Sequence, residues 1–273
     1  MDIGSRIILN NGLKMPCLGL GVYLVEPGKE TLETVACALE AGYRLIDTAS
    51  CYNNELEVGK AVRSSSIPRE DMFVTTKLWN TDHGHDRAVA AFEESLDRLG
   101  LDYIDLYLVH WPVESLRNET WHALQNVYRR GLCRALGVSN FTIPHLEDLL
   151  SGTGVVPAVN QVEFTPYLYQ RELLEYCRDR GICLQAYSPL TRGKKFSDPR
   201  LVEMARRYRK APAQVLIRWV LQHGASAIPK SSNRERIIEN SLVFDFEICD
   251  EDMLRLDSFN EDLRLCWDPT EVQ

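Results

Sequence analysis

The sequence predicts an α/β protein folded as a closed (β/α)8 barrel, the TIM-barrel architecture, with an N-terminal β-hairpin plugging its bottom. Three observations carry that expectation. Eight short β-rich runs alternate with helical stretches, which favours a parallel sheet. Most runs are continuously apolar, as strands covered on both faces are. Eight such units fill about 250 residues, so the whole chain, 1–273, is read as one barrel domain.

The hairpin comes first: Arg6–Leu9, an Asn10-Asn11-Gly12 turn, then Leu13–Met15. The barrel strands are expected at Cys17–Gly21, Tyr43–Asp47, Met72–Lys77, Ile104–Val109, Ala135–Val138, Ala158–Val162, Cys183–Ala186 and Ser226–Ile228. Between the second pair of strands and beyond, helices are marked by their punctuation. His85–Leu99 carries Val89, Phe92, Leu96 and Leu99 on one stripe and ends at Gly100. Gly42, Gly131, Gly152, Gly181 and Gly224 are expected to end other helices in the same way. Asp198-Pro199 reads as a cap and first-turn proline, and Ser232-Asn233-Arg234-Glu235 as a capping box. Two helices, split near Ala211-Pro212, fill the gap before the last strand.

Composition bounds the function. With 45% hydrophobic and 26% charged residues the chain is neither disordered nor collagen-like. Lys+Arg 31 against Asp+Glu 39 gives a net charge of −8, which argues against nucleic acid or an anionic membrane as partner. There is no long apolar run and no secretory leader. The eight cysteines form no CxxC and no histidine pair has zinc-finger spacing, so reduced thiols, a cytoplasmic address and no metal are expected.

In a (β/α)8 barrel the chemistry gathers at the C-terminal ends of the strands. Those positions hold Asp47, Lys77, His110 with Trp111, Ser139-Asn140, Gln161, Tyr187 and Lys230, with Tyr52 in the loop after the second strand. A phenol titrates near pH ~10 and is a weak acid at neutrality. An ammonium within about 4–6 Å lowers that value. Lys77 beside Tyr52, with Asp47 holding the lysine and His110 orienting a carbonyl, makes a set that protonates an oxygen as it gains charge. The set needs an external reductant, or else a Schiff base on Lys77 or Lys230.

Longer motifs narrow this. Gly42-Tyr43-Arg44-Leu45-Ile46-Asp47-Thr48-Ala49, followed by Tyr52, Asn54-Glu55 and Val58-Gly59, resembles the first signature of the aldo-keto reductase superfamily. Arg134–Phe141 resembles the second, and Ile228-Pro229-Lys230-Ser231 with Arg236-Ile237 and Glu239-Asn240 the third. Thr76–Trp79 and His110-Trp111-Pro112 fall in the same order, so the resemblance spans nearly the whole chain. It implies hydride transfer from a reduced nicotinamide to an aldehyde or ketone. Tyr52 would be the general acid, Lys77 the residue that lowers its pKa, Asp47 the partner of Lys77, and His110 the group that orients the carbonyl. The family binds its cofactor without a Rossmann fold, and Gly19-Leu20-Gly21 is not continued as GxGxxG.

On the cofactor side, the ring of Tyr187 suits stacking on nicotinamide, and Ser139, Asn140 and Gln161 suit its carboxamide. Ser188-Pro189-Leu190 and the basic loop after it are placed to close over a pyrophosphate. Ser231 and Ser232 open a helix whose N-terminus favours an anion, and Lys230 and Arg236 add cations, which suits the extra phosphate of NADPH. Glu239 and Asn240 resemble the family's adenine contacts. Tyr23, Trp79 and Trp111 match positions that line the family's apolar substrate pocket, alongside His110. The loop after His110 and the tail after Phe259 are short, which implies an open pocket of low specificity, as in compact microbial and protist reductases of the diketogluconate reductase and prostaglandin F synthase type. A monomer acting on a small aldehyde or ketone is expected. Two alternatives stay open: a Schiff-base lyase or aldolase, and a non-catalytic cofactor-binding protein.

Overall fold

The computed structural model describes residues 1–152 and 154–272. The hairpin pairs β1 (Arg6–Ile8) with β2 (Lys14–Pro16), Ile7 opposite Met15, around the Asn-Gly turn. The barrel strands are β3 (Leu20–Gly21), β4 (Leu45–Asp47), β5 (Phe73–Leu78), β6 (Leu106–Val109), β7 (Leu136–Ser139), β8 (Val159–Glu163), β9 (Cys183–Tyr187) and β10 (Ser226–Ala227). Each pairs in parallel with the next from β3 to β10. Bridges from Leu18 to Ala227 and from Gly21 to Lys230 join the two ends, so the sheet closes.

Every expected strand is present, most of them shorter at the N-terminal end than the apolar runs suggest. The first is cut to two residues, because this is the seam of the barrel. A side-chain carbon on Gly19 would lie 2.2 Å from Leu45 Cδ2, and one on Gly21 would lie 3.0 Å from the Ile228 carbonyl oxygen. The glycines let the first strand press against its neighbours where few ladder bonds hold it.

The helices are α1 (Lys29–Glu40), α2 (Glu55–Ser64), α3 (His85–Leu99), α4 (Arg117–Arg129), α5 (Ile143–Ser151), α6 (Arg171–Asp179), α7 (Pro199–Tyr208), α8 (Pro212–Gln222), α9 (Arg234–Ser241) and α10 (Asp250–Asp257). α3 has the expected bounds and ends at left-handed Gly100. Asp198 caps α7 through the N–H of Arg200, as the sequence implies. Two caps differ. Gly152 closes α5 at φ −104°, outside the left-handed region. The cap of α9 is Asn233, which accepts the N–H of Arg236, in place of a Ser232–Glu235 box.

The inward columns of the barrel follow the strand period of two. Leu9 and Met15 of the hairpin pack against Leu45, Phe73, Leu106, Ala135 and Val159 near the starts of the strands, so the hairpin does plug the bottom. Two or four residues further on, the same columns carry Asp47, Lys77, Ser139, Gln161 and Tyr187. Apolar residues fill the floor and polar ones the opposite rim.

A buried histidine gives the fold a pH dependence. His83, at the start of α3, is 0% exposed, bonds Thr120 Oγ1 at 3.2 Å through Nδ1, and has no partner for Nε2 among the described residues. Burial, and then the Arg87 charge, push its pKa down to about 4. A depressed histidine stabilises the fold fully above its unfolded pKa and loses that contribution as pH falls from ~6.5 towards ~4. The loss is about 3 kcal/mol at one pKa unit per ~1.4 kcal/mol. Urea midpoints of His83→Gln should therefore fall less steeply over that range than those of the parent; equal slopes would show that His83 is not held neutral.

Candidate active site

The rim centres on an ion pair inside the barrel. Lys77, on β5, is 0% exposed, and its Nζ donates to Asp47 Oδ1 at 2.6 Å and to the Thr48 carbonyl at 2.8 Å. Asp47 Oδ2 accepts from Gln161 Nε2 at 2.7 Å, and the same amide donates to Gln185 Oε1 at 2.8 Å. Tyr52 sits above, in a short turn after β4, with Lys77 Nζ 5.0 Å from its ring centre.

The Tyr52 phenol is held well above its ordinary pKa; burial is the largest cause, and the Asp47 charge acts in the same direction. The phenol is protonated. Burial also raises the Asp47 carboxyl, against the pull of Lys77 and Gln161.

His110 follows β6, with its ring 5.9 Å from that of Tyr52 and 5.2 Å from that of Trp79. Burial, reinforced by Lys77, lowers its pKa well below the usual histidine value, so the imidazole is neutral. The Cys51 thiol, pushed up to about 11 by burial, keeps its proton and lies 3.9 Å from His110 Nδ1. With the ring proton on Nε2, that thiol is the donor to Nδ1. Asn140, at left-handed φ 64°, ties the next pieces together: its Nδ2 donates to the His110 carbonyl at 3.0 Å, and its Oδ1 accepts from the Tyr187 hydroxyl at 2.8 Å. Ser139 Oγ donates to the Gln161 carbonyl at 2.8 Å.

These residues surround a cavity of about 300 Å³. Of the residues singled out in the sequence, Tyr23, Asp47, Tyr52, Trp79, His110, Trp111, Ser139, Asn140, Gln161, Tyr187, Ser188 and Lys230 line it, and Lys77 lies directly beneath. Leu190 packs against the core instead; beyond the cavity, Ser231 and Ser232 precede α9, Arg236 lies in its first turn, and Glu239 and Asn240 lie near its C-terminal end.

The Aldo/keto reductase family profile matches residues 18–261, which include the barrel strands from β3 to β10 and all three signature segments. The chain belongs to the aldo-keto reductase family. It is 49% identical to the glyoxal reductase of Bacillus subtilis over 271 residues, covering 99% of this chain and 98% of that one. Its fold matches that of MGS-M4, an aldo-keto reductase from a Medee basin deep-sea metagenome library, with TM-score 0.94 and 41% identity over 98% of this chain and 99% of that one. It also matches a Bombyx mori aldo-keto reductase in complex with NADP, with TM-score 0.89 and 38% identity over 96% and 94% of the two chains.

One part of this aldo-keto reductase site was not read from the sequence. Leu265, Cys266 and Trp267 of the short C-terminal tail line the cavity, beside Arg192 of the basic loop already expected near the pyrophosphate. Trp267 lies 5.4 Å from Trp111 and 6.2 Å from Trp79, ring centre to ring centre. The short tail therefore does not leave the pocket bare; it supplies a third indole. A tryptophan placed alone in a polar tail was the available signal.

The buried pair makes a stability test. Asp47→Asn leaves an ammonium inside the barrel with no counter-ion, which costs about 3–5 kcal/mol. The double variant Asp47→Leu/Lys77→Met removes both charges and should recover most of that in urea unfolding. A double variant as unstable as Asp47→Asn would mean that the pair contributes through packing rather than charge.

Proposed function

We propose that this chain reduces aldehydes and ketones to alcohols with NADPH as hydride donor and Tyr52 as general acid. The observation that carries the reading is the stack of Asp47, Lys77 and Tyr52 beside a neutral His110 at the wall of one aromatic cavity. Neutral His110 offers Nε2–H to the carbonyl oxygen and holds it next to the Tyr52 hydroxyl. As that oxygen gains charge, Tyr52 gives up its proton, and the Lys77 ammonium, 5.0 Å from the ring centre, stabilises the phenolate. Bound NADPH would supply the hydride. Asp47 and the Thr48 carbonyl keep Lys77 charged and aimed.

The rim fits that cofactor. Gln161 spends its amide hydrogens on Asp47 and Gln185, which leaves Oε1 for a carboxamide N–H. Tyr187, anchored through its hydroxyl to Asn140, presents a fixed ring for the nicotinamide. Ser188 lies on the same wall, and Leu190, Glu239 and Asn240 follow on the path we assign to the rest of the dinucleotide. Lys230 and Arg236 make no ion pair among the described residues, whereas Arg234 is engaged with Glu40 at 3.0 Å. The free cations, with Ser231 and Ser232 at the start of α9, suit a 2′-phosphate. The relative solved with NADP supports the same choice.

Tyr23, Trp79, Trp111 and Trp267 make an aromatic substrate wall, which suits α-dicarbonyls and aromatic aldehydes; glyoxal is the substrate in the name of the Bacillus subtilis relative. We take the chain as a single-domain, cytoplasmic monomer by likeness to its family. A Schiff base on Lys77 is disfavoured, because its nitrogen is buried and holds two hydrogen bonds.

Two substitutions test the reading. Tyr52→Phe should lower kcat by about 10²–10⁴-fold, the range for a lost general acid, with NADPH affinity nearly unchanged in a fluorescence titration. A variant that kept most of the rate would remove Tyr52 from the acid role. Arg236→Ala should weaken NADPH by about ten- to a hundredfold, as for a lost charged hydrogen bond, and NADH hardly at all. Equal losses for the two cofactors would refute the phosphate contact.

A further inference from the structure

The C-terminal tail lies along the cavity, and one buried carboxylate holds it there. Glu163 ends β8, two residues beyond Gln161 on the same inward column, and is 1% exposed. Its Oε1 accepts the backbone N–H of Leu265 at 3.0 Å, and its Oε2 accepts those of Leu265 and Cys266 at 3.0 and 3.1 Å. The next residue is Trp267.

That indole has little to hold it by itself. It is 60% exposed and meets only the edges of the cavity, at Trp79 and Trp111. Cys266 Sγ accepts from Arg192 Nη2 at 2.9 Å, a contact at the surface. The Cys266 thiol also shares a side-chain hydrogen bond with Tyr187, while the backbone of the segment is anchored at Glu163. Charged acceptors make the stronger hydrogen bonds, and an amide in place of the carboxylate would lose the charge and one of the two acceptor oxygens, setting an N–H2 against the Leu265 N–H. Glu163 makes no hydrogen bond to Tyr52, Lys77, Asp47 or His110 among the described residues, so the chemical step gives no reason for a carboxylate at this position.

We propose that Glu163 is a positioning residue whose carboxylate latches residues 265–267 along the cavity and thereby, through Trp267, sets the preference for aromatic over small carbonyl substrates. The selectivity half rests on the reading of the site as a carbonyl reductase; the latch itself does not. The scissile bond of one tryptic site, Arg264–Leu265, contains the N–H that Glu163 holds, so cleavage there reports the latch directly.

The experiment uses the full chain and Glu163→Gln. Trypsin cleavage at 264–265, followed by mass spectrometry of the released peptide 265–273, should speed up by about ten- to a hundredfold, the factor for losing a charged hydrogen bond when opening limits proteolysis. With NADPH in excess, KM for phenylglyoxal should rise about three- to tenfold, as for a lost aromatic contact, with a much smaller change in kcat and in KM for methylglyoxal. Trp267→Ala should give the same KM shift, and the double variant no further shift. Unchanged cleavage in a folded Glu163→Gln protein would overturn the latch. Equal KM shifts for both substrates, or additive effects in the double variant, would overturn the route through Trp267. If the glutamine variant is too unstable to assay, Glu163→Asp, one methylene short, should cleave faster than the parent, and parent-like cleavage there would overturn the latch equally. A parent protein that reduces neither substrate would refute the carbonyl-reductase reading, while the trypsin arm would still decide the latch.

Discussion

The site is built around a charge that has no access to water. Lys77 is fully buried inside the barrel, and an isolated ammonium there would be prohibitively costly or would lose its proton. Asp47 must therefore stand 2.6 Å away, on the neighbouring strand, and the Thr48 carbonyl must turn inwards to take a second hydrogen. Once Asp47 is fixed, its other oxygen orients Gln161, and Gln161 is paired with Gln185 on the next strand. A second set of bonds joins Ser139, Asn140, Tyr187 and the backbone of His110, and Ser139 ties it to the Gln161 carbonyl. Lys77, the backbone of His110 and the ring of Tyr187 thus sit on one connected polar layer with Tyr52 above it, and the strand ladder below sets their spacing.

Much of this was legible because strand geometry is so restrictive. A column of Leu45 and Asp47, or of Phe73, Thr75 and Lys77, states in the sequence which end of the barrel is floor and which is rim. The hairpin was legible for the same reason, as an Asn-Gly turn between two short runs. Strand lengths were not. The apolar runs overstate four of the eight, and at the first strand pairing is limited by how closely Gly19 and Gly21 approach their neighbours at the seam. The cap of α9 was misplaced by one residue, because Ser232 and Asn233 are both good caps and only the path of the chain after β10 decides between them.

The tail was the least legible part. Nothing periodic marks Leu265–Trp267, and its length alone suggested an uncovered pocket. What places it is a long-range pairing between a carboxylate at the end of β8 and two backbone N–H groups about a hundred residues later, a bond that has no signature in composition or spacing. Resemblance pointed to the groups proposed to perform the chemistry, whose identities are constrained one by one. It was silent on a segment held by its backbone, where many side chains would serve.

The direction of the Tyr52 pKa bears on how such a site works. The ammonium that should acidify the phenol is matched by Asp47 at hydrogen-bond distance, so the pair presents Tyr52 with little net charge, and burial dominates. A phenol in that state does not lose its proton to solvent. It becomes a useful acid only when a neighbouring oxygen develops negative charge, because only then does transfer turn one buried anion into another while Lys77 stays beside both. The neutral histidine fits the same logic. An imidazolium at His110 would add a second buried cation next to Lys77, whereas a neutral ring donates one hydrogen bond without changing the charge of the layer. In the proposed reaction, burial thus holds Tyr52 protonated and His110 neutral, and leaves the carbonyl oxygen as the atom whose charge changes first.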